Sequence, residues 1–245
     1  MEVMLFVNDA FQGQKTKKLK TTQVRAYVVG FDKLDSVELV QGDTILAGQY
    51  DFPSDESYSG CVDFMFGWGK KHVRTSWDIQ VDIIDGVLLD VSPRLRGIDM
   101  VDPLDTPENA GDSLPRFTRS EHGACFRIVT DGNSNAVTDS SQGFVLDIEG
   151  NERTKVKLQF RACWGDIVEN RTLIFSIDDL RHRSTSEYVH GFVSPAVAIG
   201  RFCARGEVIC KIERDFQLSS FQAVYLRAYQ QNGDCVFSSP VSFVE

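Results

Sequence analysis

The sequence predicts an all-β fold: an antiparallel β-sandwich, built as one large unit or as two packed sandwich units with little helix. Short runs of alternating apolar and polar residues recur along the whole 245-residue chain. Turn-forming Gly, Asn, Asp and Pro residues separate these runs roughly every ten residues, which is typical of sandwiches and barrels. Phe is abundant, with 17 residues beside 6 Tyr and 3 Trp, and aromatic side chains favour strands over helices.

The predicted strands follow one another from the first residues to the last. In chain order they are Val3–Val7, Thr22–Val29, Ser36–Val40, Thr44–Ala47, Cys61–Phe66, Trp77–Ile84, Val87–Val91, Ala124–Thr130, Gly143–Ile148, Lys155–Phe160, Thr172–Phe175, Glu207–Ile212 and Ala223–Tyr229. We expect the apolar residues of 81–84, 87–91 and 145–148 to form much of the core. Because the first strand begins directly after the start of the chain, we also expect the chain to derive from a longer protein.

Three turns carry residues that are typical of β-hairpins. They are Asp85-Gly86, the Glu-Gly-Asn-Glu sequence of residues 149–152, and the Gln-Asn-Gly-Asp sequence of residues 231–234. Asn-Gly and Asp-Gly pairs readily adopt the positive φ angles of tight hairpin turns. Each turn therefore predicts antiparallel pairing between the strands on either side of it.

Helix is predicted at one short segment. Ser176, followed by Ile-Asp-Asp, resembles a capping box and predicts a helix through Leu180 to Arg183. The apolar run 195–200 fits a strand or one helical turn, and its pattern does not decide between them.

A change of composition at residues 49–59 predicts a domain boundary. We expect a small N-terminal β unit, Ig-like, over residues 1–55 and a larger β-sandwich domain over residues 56–245. Within the larger domain, residues 97–119 are rich in Asp, Pro and Gly and form the longest predicted loop. Loops of that length commonly carry function.

The charge balance excludes two classes of partner. The formal net charge is −9, whereas nucleic acids and anionic membranes attract positively charged surfaces. The basic cluster at residues 15–20 is interpreted as a solvated loop. No apolar run approaches the ~18–20 residues of a membrane span. We therefore predict neither a nucleic-acid partner nor a membrane location.

Cysteine usage indicates a reducing compartment. The 6 cysteines are scattered and include no CxxC pair, and the first twenty residues carry no signal peptide. We expect mostly buried free thiols and a cytoplasmic protein. An extracellular disulfide framework is the alternative.

The sequence carries no recognisable catalytic or metal-binding motif. The histidines His72, His122, His182 and His190 show no HxH or HxxxH spacing. Residues 131–135 resemble the first half of a calcium loop, but the second half lacks the required Gly and Glu. Neither a GxSxG elbow nor a glycine-rich phosphate loop is present. We assign no catalytic residue, no metal and no cofactor.

Two alternatives remain open from the residues alone. Aromatic rings stack on sugar faces, so Trp68, Trp77 and Trp164 could line a carbohydrate-binding face; burial in the sheet core is the competing interpretation. A metal-dependent hydrolase would instead use His122, His182 or His190 with Asp residues of the 97–119 loop.

The C-terminal segment resembles the end of a family of uncharacterised PHP-like proteins, metal-dependent hydrolases of the polymerase-and-histidinol-phosphatase type. Such chains close with the pattern YxRxxQxNGxxAWSSPIxV. The positions matching it are Tyr225, Arg227, Gln230, Asn232, Gly233, Ser238, Ser239 and Pro240. Phe237 stands where the family has Trp, and Val236 replaces its small residue.

Shorter segments resemble the same family in the same order. They are Phe66-Gly67-Trp68-Gly69, Trp77-Asp78, Asp85 to Leu88, Thr130 with Gly132 and Asn133, and Tyr188 with Gly191 and Ser194 to Ala196. In that family this region is the β-rich C-terminal part, and the metal-binding clusters lie upstream. The resemblance therefore implies a non-catalytic accessory module that shapes or completes the substrate cleft of a PHP-like catalytic domain or subunit.

Overall fold

The structure is a computed structural model that describes residues 1–54, 57–68, 73–95, 116–130, 141–192, 194–218 and 221–244. Strands dominate it, and several antiparallel sheets pack together, so the predicted all-β fold is confirmed. The chain divides into two compact units. Unit 1 comprises Met1–Glu56 with Cys203–Glu245, and unit 2 comprises Ser57–Phe202.

The strands of unit 1 come from both ends of the chain. They are β1 Glu2–Val7, β2 Ala10–Phe11, β3 Lys15–Lys17, β4 Thr22–Val29, β5 Leu34–Gln41, β6 Thr44–Gln49, β17 Cys203–Ala204, β18 Ile209–Phe216, β19 Val224–Gln230, β20 Cys235–Phe237 and β21 Ser242–Val244. A helical turn, α2, spans Arg205–Val208.

The strands of unit 2 are longer on average. They are β7 Ser59–Trp68, β8 Thr75–Ile84, β9 Val87–Arg94, β10 Arg116–Ser120, β11 Gly123–Thr130, β12 Gln142–Glu149, β13 Lys155–Trp164, β14 Ile167–Ser176, β15 Thr185–Tyr188 and β16 Ala196–Ile199. The short helix α1 spans Ile177–His182.

Unit 1 contains two four-stranded antiparallel sheets, ordered β18-β4-β1-β2 and β20-β19-β5-β6, and a parallel pair, β21-β3. Alternate residues of each sheet are buried in a common cluster. It includes Leu5 and Val24 from the first sheet, and Val37 and Leu226 from the second. Because strand side chains alternate between the two faces, the intervening residues form the outer surfaces.

Unit 2 is a sandwich of two sheets, ordered β10-β11-β8-β13-β14 and β15-β16-β7-β12-β9. Aromatic rings from the facing sheets interlock between them. The rings of Phe126 and Phe144 stack with centroids 3.9 Å apart, and Phe66 meets Trp77 edge-on at 5.3 Å. This aromatic core holds the two sheets together and leaves the outer face of each to its polar residues.

Two of the predicted hairpins are wrong. The strands on either side of Asp85-Gly86, β8 and β9, belong to opposite sheets, and so do β12 and β13 on either side of residues 149–152. Both turns are arches that carry the chain from one sheet to the other. Asp85 does adopt the positive φ expected of a tight turn, 56°. The turn itself is therefore as predicted, but the pairing across it is not.

The third hairpin is confirmed. Strands β19 and β20 pair antiparallel around residues 231–234, with Tyr229 opposite Cys235, and Gly233 has a φ of 89°. The predicted helix is also confirmed, because Ser176 caps α1 by accepting a hydrogen bond from the Asp179 backbone amide at 3.0 Å.

The remaining local predictions have mixed outcomes. Residues 196–199, left open between strand and helical turn, form β16. Residues 116–119, predicted as loop, belong to strand β10. Residues 97–115 and the half calcium loop at 131–135 lie outside the described residues.

The division into units differs from the predicted domains at the C-terminus. The predicted boundary at residue 55 lies beside the division after Glu56. Residues 203–245, however, were placed in the second domain by sequence and belong to unit 1, where β18 pairs with β4 and β19 with β5. No helix among the described residues is long and apolar enough to cross a membrane.

Candidate functional site

The leading candidate site is the outer face of the five-stranded sheet of unit 2. Its residues point outward because successive side chains of a strand lie on opposite faces of the sheet. In β8, Trp77 and Ile79 are buried in the core, whereas Asp78 and Gln80 point outward. The neighbouring strands alternate in the same way, so that their outward side chains are polar on one continuous surface. We call this surface the polar face.

One row of the polar face crosses all five strands and is rich in arginine. Arg116 of β10 lies opposite Arg127 of β11, which lies opposite Asp78 of β8. Asp78 in turn lies opposite Arg161 of β13, which lies opposite Asn170 of β14. Neighbouring strands are about 4.8 Å apart, so the row extends over about 19 Å.

The adjacent row consists of uncharged side chains that can form hydrogen bonds. Thr118 lies opposite Cys125, Cys125 opposite Gln80, Gln80 opposite Gln159, and Gln159 opposite Thr172. The amides and hydroxyls of this row both donate and accept hydrogen bonds. The two rows together line a surface depression of about 650 Å³.

The charge of the polar face is positive, in contrast to the chain as a whole. Its arginine row carries three guanidinium groups and one carboxylate, so its net charge is about two positive units. Arg127 Nε donates to Asp78 Oδ1 at 2.7 Å, and both side chains are largely exposed. An exposed pair of this kind contributes little stability, so its charges remain able to engage a ligand.

The residue types of this face suit the binding of an anionic ligand. Arginine guanidinium groups bind carboxylates and phosphates in a bidentate manner, and the amide row can orient a polar ligand. Among its lining residues there is no histidine, and Cys125 is the one thiol. Across the described residues no group of three or more His, Cys, Asp or Glu side chains could hold a metal ion.

Two of the three tryptophans predicted to line a sugar-binding face, Trp77 and Trp164, are buried. Trp77 is fully buried, and its indole Nε1 donates to Thr130 Oγ1 at 2.9 Å. Trp164 is 6% exposed. Neither offers a ring face to a ligand, because each is part of the unit 2 interior. Trp68 ends strand β7, and its side chain lies outside the described part of the structure.

The histidines of the hydrolase hypothesis have separate partners. His122 Nδ1 lies 3.0 Å from the carbonyl oxygen of Gly86, and His182 ends α1. His190 Nδ1 lies 2.5 Å from Glu169 Oε1. The Asp residues of 97–115 lie outside the described residues, so the hydrolase hypothesis stays a prediction.

His190 and Glu169 form the one His–carboxylate pair within hydrogen-bond distance that the described residues contain. Ser194 is next to it but is not poised as a nucleophile. Its hydroxyl accepts from the His190 backbone amide at 2.9 Å and donates to the Gly191 carbonyl at 2.8 Å. The serine therefore holds the turn before β16 in place.

Two of the family-like residues of the C-terminal hairpin, Gln230 and Ser238, form hydrogen bonds within unit 1. Gln230 is buried, and its Oε1 accepts from the Phe31 amide at 2.7 Å while its Nε2 donates to Asn232 Oδ1. The Ser238 hydroxyl accepts from the Leu226 amide at 2.9 Å. These contacts tie the hairpin to the rest of unit 1.

Sequence reasoning missed the polar face. Arg116, Arg127 and Arg161 are far apart along the chain, and each is an ordinary outward residue of its own strand. Their assembly depends on the register between strands, which no local pattern specifies.

Comparison of the chain with family models, with curated proteins and with solved structures gave no match.

Proposed function

We propose that this chain is a non-catalytic β-sandwich module that accompanies a PHP-like metal-dependent hydrolase and holds an anionic part of that enzyme's substrate. The observation that carries the binding role is the cross-strand row of Arg116, Arg127 and Arg161 on the polar face. The association with a hydrolase is supported by the family-like segments, above all the C-terminal hairpin.

The residue types of the polar face suit an anionic ligand with hydrogen-bonding groups. Two guanidinium groups, Arg127 and Arg161, flank Asp78, which accepts a hydrogen bond from Arg127. The uncharged row beside them would meet hydroxyl or amide groups of the same ligand. Such a surface contributes affinity and orientation, while a catalytic partner supplies the chemistry.

Binding is tested by isothermal titration calorimetry of the full chain with sodium pyrophosphate and with sodium citrate. We expect saturable binding of at least one of them, weakened by added salt because charge pairs at a surface are screened. Combining Arg127→Gln with Arg161→Gln should reduce affinity by at least about tenfold, since hydrogen bonds to charged groups contribute about 1.5–3 kcal/mol each.

The matched control is Arg153→Gln, which removes an arginine from the arch at residues 149–154 and leaves the polar face intact. It should bind as the unchanged protein does. The binding role would be abandoned if neither anion binds, or if the double variant and the control bind equally.

The hydrolase association is tested separately on the protein isolated from its source cells. We expect an intact mass above 27.5 kDa, or co-elution in one complex with metal-dependent hydrolysis of p-nitrophenyl phosphate. A mass of 27.5 kDa without any co-eluting hydrolase would refute the association with a hydrolase. The anion-binding role would then be judged by calorimetry alone.

A further inference from the structure

A second outer surface, in unit 1, is lined by aromatic rings around a central ion pair. In the sheet β20-β19-β5-β6, Phe237 lies opposite Arg227, and Arg227 lies opposite Glu38. Glu38 lies opposite Gly48, over which the ring of Tyr50 is placed. We call this row, with Tyr225 and Tyr229 on either side of Arg227, the aromatic face.

Tyr50 lies against the sheet at one end of this face. Its hydroxyl donates to Glu38 Oε1 at 2.7 Å. A Cβ atom on Gly48 would lie 2.6 Å from the ring carbons of Tyr50, so the ring occupies the space that any larger residue would fill. The side chain is nevertheless 59% exposed. The Tyr50 ring is therefore both fixed in position and largely open to solvent.

The centre of the face is polar and equally fixed. Arg227 Nε donates to Glu38 Oε2 at 2.5 Å, and Glu38 is buried. The hydrogen bond from Tyr50 lowers the pKa of Glu38 below its ordinary value against the opposing effect of burial, and Arg227 lowers it further. The carboxylate thus stays ionised and holds both neighbours, while the guanidinium keeps further N–H donors.

Phe237 forms the other end of the aromatic face. It is 54% exposed, and its ring meets Tyr229 nearly at right angles, with centroids 6.2 Å apart. Three strand spacings separate β20 from β6, so the two exposed rings lie about 14 Å apart across the sheet. That separation leaves room for several small rings in a row.

We propose that the aromatic face binds the pyranose rings of a neutral oligosaccharide. A pyranose has a flat C–H surface that packs on an aromatic ring and a rim of hydroxyls that accept from N–H donors. Tyr50 and Phe237 supply the ring surfaces, and Arg227 supplies donors between them. Preorganised aromatic side chains lose little conformational entropy on binding, which favours this use.

The aromatic face suits a sugar better than it suits a peptide or a second copy of the chain. A peptide strand would add to a sheet edge through its backbone, whereas this row runs across the strands and presents side chains. A self-association interface is depleted of charge at its centre, and here the centre is the Arg227–Glu38 pair. This site is independent of the anion-binding role proposed for unit 2.

The test is affinity electrophoresis of the full chain in gels containing hydroxyethylcellulose, xyloglucan, laminarin or galactomannan, followed by calorimetry with the matching hexasaccharide. We expect retardation by at least one polysaccharide. Tyr50→Ala and Phe237→Ala should each weaken binding by about tenfold, equivalent to about 1.4 kcal/mol, because each removes a ring on which a sugar would stack.

Phe192→Ala is the matched control, because Phe192 is 86% exposed and belongs to unit 2. It should bind as the unchanged protein does. Tyr50→Phe keeps the ring but loses the bond to Glu38, so we expect a smaller loss than for Tyr50→Ala. Thermal unfolding of each variant separates lost binding from lost folding.

Three results would overturn the proposal. One is the absence of retardation by all four polysaccharides. Another is unchanged binding in both Tyr50→Ala and Phe237→Ala. The third is a dimer, seen by light scattering, that Phe237→Ala dissociates, since it would assign the face to self-association.

Discussion

The hydroxyl of Thr154 donates a hydrogen bond of 2.7 Å to the carbonyl oxygen of Asp85, and so joins the two arches that connect the sheets of unit 2. Thr154 is fully buried, and its Oγ1 also accepts from the Asn151 amide at 2.7 Å. A Cβ atom on Gly86 would lie 2.8 Å from the Thr154 methyl carbon. The Asn151 side-chain amide also donates to the Asp85 carbonyl oxygen, at 3.2 Å, so the two arches are joined through both Thr154 and Asn151.

Replacing Thr154 with Val should destabilise unit 2. Valine keeps the shape but leaves the Asp85 carbonyl and the Asn151 amide without their hydroxyl partner, at a cost of about 1–3 kcal/mol. Urea unfolding would measure the loss. Thr154→Ser keeps the hydroxyl and serves as the control; equal stability of the Val variant and the unchanged protein would contradict the prediction.

Replacing Phe144 with Ala should have a larger effect. Its ring stacks on Phe126 across the sandwich, and it also lies 5.4 Å from Phe64 and 5.6 Å from Phe66. Removing a buried Phe side chain typically costs about 3–5 kcal/mol, because a cavity remains. Thermal unfolding is the measurement, with Phe117→Ala, an exposed ring on β10, as the comparison. Similar losses for both variants would refute the assignment of Phe144 to the core.

Glu38 should make the stability of unit 1 depend on pH in acid. The Tyr50 hydroxyl and then Arg227 lower the pKa of Glu38, although burial opposes them. A lowered pKa in the folded state stabilises the protein at pH values above the ordinary carboxyl pKa, and this contribution is lost as the pH falls through the lowered value.

Glu38→Gln should accordingly be less stable than the unchanged protein at about pH 7 and should approach it at about pH 3. Urea unfolding at both pH values tests this, and Glu213→Gln, an exposed carboxylate of β18, is the control. A Glu38→Gln deficit that is the same at both pH values would show that the carboxylate charge does not matter.

The thiols should differ in reactivity. Burial raises the pKa of Cys210 to about 11, and thiolates rather than thiols are the species that react. Cys125 and Cys235 are exposed. With iodoacetamide at about pH 8, we expect these two to be alkylated first and Cys210 only after unfolding in urea. Peptide mass spectrometry reads out each site, and equal rates for Cys210 and Cys125 in the native protein would disprove the prediction.

Local patterns predicted several strands well because those strands, such as β4, β8 and β13, bury alternate residues. The predicted strand Thr22–Val29 matches β4 at both ends, and its burial alternates along its length. The helix α1 was predictable because Ser176 marks its start by a side-chain hydrogen bond that the sequence itself encodes.

Which strands pair with each other was harder to predict from the sequence. Strand β8 buries alternate residues and β9 buries Leu88 and Val91, both in the unit 2 interior but from opposite sheets. The inward-facing residues alone therefore do not distinguish a hairpin from an arch. The polar face was missed for a related reason, since Arg127 and Arg161 become neighbours of Asp78 only through two separate strand registers. Tyr50 of the aromatic face lies just past the end of β6, where alternation no longer indicates a direction.

Unit 1 is built from both ends of the chain, so its last strands are synthesised only after the whole of unit 2. The ribosome releases residues 57–202 before strands β18 and β19 exist, so unit 2 has all its strands while unit 1 still lacks the partners of β4 and β5. Pairing across so long a stretch of chain is slow. The apolar faces of β4 and β5 therefore stay exposed until β18 and β19 are synthesised. Exposed apolar surface of this kind promotes aggregation, so we expect a chaperone to act on these strands.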